Sequence, residues 1–173
     1  HYDALTNLPN RVLLADRLQQ AMKQAQRRNL QAAVAFLDLD GFKGINDLHG
    51  HDVGDELLLV LAQRMRKALR EGDTLARMGG DEFVAVMVDL PDPQACVPLL
   101  SRLLEAAAEP MLMGDGTLQV TASLGVSAIG SVSLPLSSND DSLVKVASET
   151  IPAGPFYDRF FALMQRYLRE QAE

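Results

Sequence analysis

The stretch Ala32-Ala33-Val34-Ala35-Phe36-Leu37-Asp38-Leu39-Asp40-Gly41 decides the fold. A short unbroken apolar run of this kind reads as a strand buried on both faces, which needs cover on both sides. That cover is legible to either side of it. Upstream, residues 10–28 carry Leu14, Leu18, Met22 and Ala25 at spacings of three and four, after a Pro9 that suits helix entry. Lys23, Arg27 and Arg28 lie near the end of that helix, where the dipole favours cations. Downstream, the Gly-, Asn-, Asp- and His-rich residues 41–54 read as a short helix or turn. Residues 55–70 read as a second amphipathic helix, with Leu58, Leu61, Met65 and Leu69 on one stripe.

Further out, residues 74–78 and 83–90 read as two strands joined through Gly79-Gly80-Asp81-Glu82, a hairpin pattern in which glycines supply positive φ. A break at Pro91 to Pro93 precedes a third helix over 95–108. A turn at Gly114-Asp115-Gly116 then precedes a strand over 118–129. The Ser-, Pro- and Asn-rich residues 130–141 read as loop, and 157–170 regain helical spacing through Phe160, Phe161, Met164 and Leu168. The order α-β-α-β-β-α-β-α predicts one α/β sandwich layered around a single sheet.

The 173 residues suffice for one domain, at roughly 100–200 residues each. A lone cysteine, Cys96, cannot form an internal disulfide, so a reducing, cytoplasmic setting is expected. A net charge of −7 excludes a generic electrostatic nucleic-acid binder. The longest apolar runs, 32–37 and 57–62, fall far short of the ~20 residues that span a bilayer, so no membrane contact is expected. The chain opens at His1 rather than Met, which predicts a piece of a longer protein.

Two acidic pairs carry the chemistry. Asp38 and Asp40 close the apolar strand, as turn or capping aspartates or as half of a cation site, since a carboxylate at the mouth of a hydrophobic strand needs a neutralising partner. Asp81 and Glu82 follow two glycines, either as a solvated hairpin tip or as acids set where a backbone and a ligand approach closely. If the hairpin lies beside the apolar strand, Asp38 and Asp81 converge on one hard cation. Mg²⁺ suits such a pair, because it takes one or two carboxylates plus substrate phosphates. His49 and His51 form a weak H-x-H zinc signal without cysteines or a second His cluster, and His51 is read as ordering its loop.

The motifs Phe36-Leu37-Asp38-Leu39-Asp40-Gly41-Phe42-Lys43, Ile45-Asn46-Asp47, Gly50-His51, Gly54-Asp55 and Arg77-Met78-Gly79-Gly80-Asp81-Glu82-Phe83 resemble the GGDEF family of diguanylate cyclases. The opening Asp3-Ala4-Leu5-Thr6-Asn7-Leu8-Pro9-Asn10-Arg11 is similar to that family's N-terminal signature. The resemblance runs from about Asp3 to Ala128. It implies a central, mostly antiparallel sheet flanked by helices, related to the palm of nucleotidyl cyclases and polymerases. It also implies condensation of two GTP into cyclic di-GMP with release of pyrophosphate, in a homodimer whose two domains face each other. By the same resemblance Asp38, Asp81 and Glu82, with the Leu39 carbonyl, hold Mg²⁺ or Mn²⁺. Asn46 and Asp55 read guanine, while Lys43 and the backbone at Gly41 and Phe42 contact phosphates near Gly79 and Gly80. Arg70 and Asp73 match an R-x-x-D product-inhibition site.

After Ala128 the match degrades. The family closes with a helix bearing a phosphate-contacting Lys and Arg; here Pro152 and Pro155 interrupt that stretch, the expected Lys falls on Pro155, and Arg159 remains for the phosphates. The expected core is therefore residues 3–150, with 151–173 leading toward a downstream segment. Leu8-Pro9-Asn10-Arg11 and Phe160-Phe161 resemble members fused to a downstream EAL phosphodiesterase domain, and a fused sensor domain is expected as well. In such fusions a cyclase-like domain also serves as a GTP-responsive regulator, which is the alternative expectation.

Overall fold

The computed structural model describes residues 1–129. The expected loop at 130–141, the expected helix at 157–170, and Pro152, Pro155 and Arg159 lie outside the described residues.

Helix α1 (Arg11–Arg28) starts at Asn10, whose side chain accepts from the amides of Val12 and Leu13. It stops at Asn29 in the left-handed region. Strand β1 (Gln31–Leu39) is the predicted apolar run. Two helices follow, α2 (Phe42–His49) and α3 (His51–Ala68). The hairpin of β2 (Thr74–Gly79) and β3 (Glu82–Leu90) comes next, then a 3₁₀ turn (Pro93–Cys96) and α4 (Val97–Ala108). A small hairpin, β4 (Met111–Met113) and β5 (Gly116–Leu118), precedes β6 (Ala122–Ile129).

The main sheet has the order β2-β3-β1-β6, with every pairing antiparallel. Its two central strands obey the two-residue alternation of a pleated sheet. Ala33, Ala35 and Leu37 share one core with Phe83, Ala85 and Met87 of β3 and with Leu58, Leu61 and Met65 of α3 and Leu103 of α4. Ala32, Val34 and Phe36 share the other with Val84 and Val86 and with Leu14, Leu18 and Ala21 of α1. Both faces of β1 are thus dry, which is why its sequence does not alternate. Phe83, Leu37 and Met87 are fully buried, each contributing about 1.5–3 kcal/mol relative to exposure. Among the described residues no helix is long and apolar enough to cross a membrane.

Three expectations change in detail. Helix α3 begins at His51 rather than Asp55, because Gly50, at φ +89°, makes the break between α2 and α3; Gly54 therefore lies inside a helix. The strand expected over 118–129 divides: β5 ends at Leu118 and pairs with β4, and the sheet strand starts at Ala122. The helix expected from Ala95 opens as a 3₁₀ turn, capped by the Asp92 side chain on the Ala95 amide.

Candidate active site at the end of the central strands

Antiparallel pairing of β1 with β3 sets Asp38 opposite Glu82, one residue from the Gly79-Gly80 turn that carries Asp81. The Leu39 amide donates to the Asp81 carbonyl at 3.4 Å, so the two acid-bearing segments meet. The Asp38 carboxyl is pushed up to about 7. Burial is the leading cause, followed by its hydrogen bond with the Asp81 carboxyl and the negative charges of Asp81, Glu82 and Asp40. The predicted convergence of Asp38 and Asp81 is therefore present.

Asp40 behaves differently. Its amide donates to the Thr121 carbonyl at 2.8 Å, and its carboxylate accepts from the Thr121 and Ser123 hydroxyls, each at 2.7 Å. Both oxygens are thus engaged with β6 and the residue before it. Of the two readings left open for the strand-end acids, the turn reading fits Asp40, and Asp38 is the acid that faces other acids.

The donor set suits a hard cation. Among the described residues no three His, Cys, Asp or Glu side chains gather closely enough to hold a metal by themselves. The Asp38 and Asp81 carboxyls, which meet beside open space at Gly79 and Gly80, leave most of a coordination shell to phosphate and water, as Mg²⁺ prefers. His49 and His51 are both exposed and belong to no such group.

Across the mouth of the sheet, Gly41 (φ +72°) turns the chain from β1 into α2. No side chain caps the N-terminus of α2, so its first amides face outward in the manner that favours phosphate, with the exposed Lys43 beside them. Asn46, one turn along α2, packs against Gly54 of α3, and the exposed Asp55 follows directly. The Asn46 Oδ1 is buried without a hydrogen-bond partner. An orphaned acceptor of this kind costs about 1–3 kcal/mol.

The glycine turn is braced from the far end of the sequence. The Arg77 guanidinium donates to both oxygens of Asp3, at 2.9 and 3.0 Å, and through Nε and Nη2 to the Gly80 carbonyl, at 3.0 and 2.8 Å. Thr6 donates to Asp3 through its amide and its hydroxyl. Burial opposes the Asp3 charge, but these bonds and the Arg77 cation outweigh it and hold its carboxyl below the usual value. Sequence reasoning quoted Asp3, Arg77 and Gly54 only within motifs and gave them no role. A half-buried acid and base separated by 74 residues leave no local signal.

Arg70 and Asp73 lie at the opposite end of β2, roughly 20 Å away at ~3.3 Å per residue. Only the Arg70 side of this ion pair is open to solvent. The Asp73 side chain is fully buried and accepts from the Arg70 amide and guanidinium and from the Val88 amide, each bond at 3.1 Å. Arg70 also donates to the Val88 carbonyl, and its half-exposed guanidinium borders a cleft of about 380 Å³ shared with Arg17 and Arg66.

A four-stranded antiparallel sheet flanked by helices, with acids converging at a glycine turn, is the arrangement that the resemblance to the GGDEF family implies. The family model described as "Diguanylate cyclase, GGDEF domain" matches residues 1–147, and the chain belongs to that family. It is 44% identical over 125 residues to the bifunctional diguanylate cyclase/cyclic di-GMP phosphodiesterase MucR of Pseudomonas aeruginosa, covering 72% of this chain and 18% of that one. It is 38% identical over 127 residues to the diguanylate cyclase TpbB of the same species, covering 73% of this chain and 29% of that one. The structure of the TpbB GGDEF domain superposes with a TM-score of 0.74 at 32% identity, covering 87% of this chain and 90% of that one. The GGDEF domain of DgcB from Caulobacter crescentus, solved in complex with c-di-GMP, gives 0.66 at 25% identity, covering 86% and 90%. The chain spans less than a third of the length of the two curated relatives.

Proposed function

We propose that this domain is a diguanylate cyclase that condenses two molecules of GTP into cyclic di-GMP and two pyrophosphates. The observation that carries the reading is the meeting of the Asp38 and Asp81 carboxyls at the glycine turn. Kinship with TpbB supports it.

In this reading Asp38 and Asp81 hold Mg²⁺ or Mn²⁺, with Glu82 and the Leu39 carbonyl beside them. When bound, the cation neutralises the triphosphate and polarises its α-phosphoryl group. Asn46 and Asp55 recognise guanine, Asp55 by accepting from its N1–H and amino group. The first amides of α2, at Gly41 and Phe42, and the Lys43 ammonium hold the outer phosphates. Gly79 and Gly80 keep side chains out of the way of the triphosphate. Each domain holds one GTP, so a homodimer is needed. In each half-reaction the 3′-hydroxyl oxygen of one GTP bonds to the α-phosphorus of the other, the bond from that phosphorus to the β-phosphate bridge breaks, and the hydroxyl proton leaves. Arg159, outside the described residues, is the further cation that this reading assigns to the phosphates. Arg70, with Asp73 holding it in place, receives cyclic di-GMP as feedback inhibitor at the cleft between α1 and α3, and kinship with a domain solved with c-di-GMP supports this. The reading extends to one domain with its core at residues 3–150, working in the cytoplasm beside a sensor.

Incubating the purified chain with GTP and Mg²⁺, with Asp81→Ala as control, tests the proposal by chromatography of the nucleotides. Cyclic di-GMP from the wild type and a loss of at least about a hundredfold in the variant are expected. GTP binding without product would favour the second reading, a nucleotide-binding regulator of a fused EAL phosphodiesterase, which the bifunctional relative MucR supports.

A further inference from the structure

We propose that Gly54 is a positioning residue for guanine recognition: its missing side chain is the socket that fixes the Asn46 amide. The inference rests on the reading of Asn46 as a guanine contact.

Gly54 lies buried in the second turn of α3 and is not among the positive-φ glycines. Its backbone therefore permits alanine, and helix propensity favours alanine there. The reason for glycine is space. A Cβ at position 54 would fall well inside van der Waals contact with Asn46 Oδ1, 3.0 Å from Asn46 Cγ and 3.3 Å from Phe42 Cζ. Phe42 is buried in the main core and has little room to give. The Asn46 side chain is the part that can turn away.

The second observation concerns the same atom. Asn46 Oδ1 is buried without a hydrogen-bond partner. An orphaned acceptor and a helical glycine each work against stability, and here they touch. A smaller side chain at 46 with alanine at 54 would remove both faults. A pair of local violations packed together, next to the exposed Asp55, is what a recognition site looks like when fit to a ligand outranks stability. With its oxygen end lodged against Gly54, the amide presents one fixed end outward. Turning it scrambles donor and acceptor at the position where a base must be told apart from others.

The test is a double-mutant cycle over wild type, Gly54→Ala, Asn46→Ala and the double variant, read by thermal unfolding and by calorimetric binding of GTP and ATP with Mg²⁺. Gly54→Ala is expected to weaken GTP binding at least tenfold and to narrow the preference for GTP over ATP, yet to change GTP affinity less than twofold once Asn46 is alanine. In turnover its KM should rise with kcat nearly kept. On the Asn46→Ala background Gly54→Ala should raise the melting temperature by a few degrees, about what a helical Gly→Ala change gives in a small domain. Equal losses on both backgrounds overturn the proposal. If Gly54→Ala alone does not fold, a folded double variant supports it and an unfolded one overturns it. A wild-type chain that fails to bind GTP sinks the reading of the site instead, and the unfolding cycle still decides whether Gly54 and Asn46 share a socket.

Discussion

Asp3 and Asp38 both serve the Gly79-Gly80 turn, and their surroundings drive them in opposite directions. Asp3 is paired with Arg77 and Thr6, and its charge is favoured despite burial. Asp38 is half-buried against Asp81, with Glu82 and Asp40 near, and its charge is opposed. One acid is compensated by its neighbours; the other is opposed by them. On the proposed function, the contrast separates a carboxylate that holds the fold from one that binds a cation.

Breaking the uncompensated side should give the largest effect. Asp38→Asn is expected to cut cyclic di-GMP formation at least about a hundredfold while stabilising the metal-free protein. Because the folded carboxyl titrates near 7 rather than 3.8, its destabilising effect grows as pH rises between those values. Unfolding temperatures with EDTA should therefore show the variant ahead of wild type by more at pH 8 than at pH 5.

The compensated side should respond with the opposite sign. Asp3→Asn strands a half-buried Arg77 and should cost about 2–4 kcal/mol in denaturant titration at pH 7. A lowered carboxyl contributes stability that is present above the ordinary value of 3.8 and fades as pH falls below it, so the gap between variant and wild type should close in acid. Asp40→Ala removes two hydroxyl contacts to the β6 side and should cost about 1–2 kcal/mol with a smaller loss of turnover, since Asp40 is exposed. Asp89→Asn, which removes the charge facing the exposed Arg28 and keeps a side chain suited to the positive φ there, sharpens the contrast from below: about 0–1 kcal/mol and unchanged activity.

How far the sequence revealed this arrangement follows from the range of the interactions. The apolar run of β1 and the glycine hairpin were legible because each is a local pattern with its own period. The meeting of Asp38 and Asp81 was legible only on condition that β3 lies beside β1, and that pairing supplied it. The start of α3 was misplaced because Gly50 and Gly54 both read as turn residues, although only Gly50 breaks a helix. The short β4 and β5 strands carry too few residues to show a period. The Asp3–Arg77–Gly80 brace and the socket at Gly54 are contacts between distant segments, and nothing in the local pattern around either announces them.

The most direct measurement is GTP affinity with Mg²⁺ and with EDTA, in wild type and Asp38→Asn. If Asp38 and Asp81 await a divalent cation that carries the triphosphate, Mg²⁺ should tighten GTP binding at least tenfold in wild type and leave the variant nearly unmoved. Equal GTP affinity with and without the metal in wild type would contradict the account.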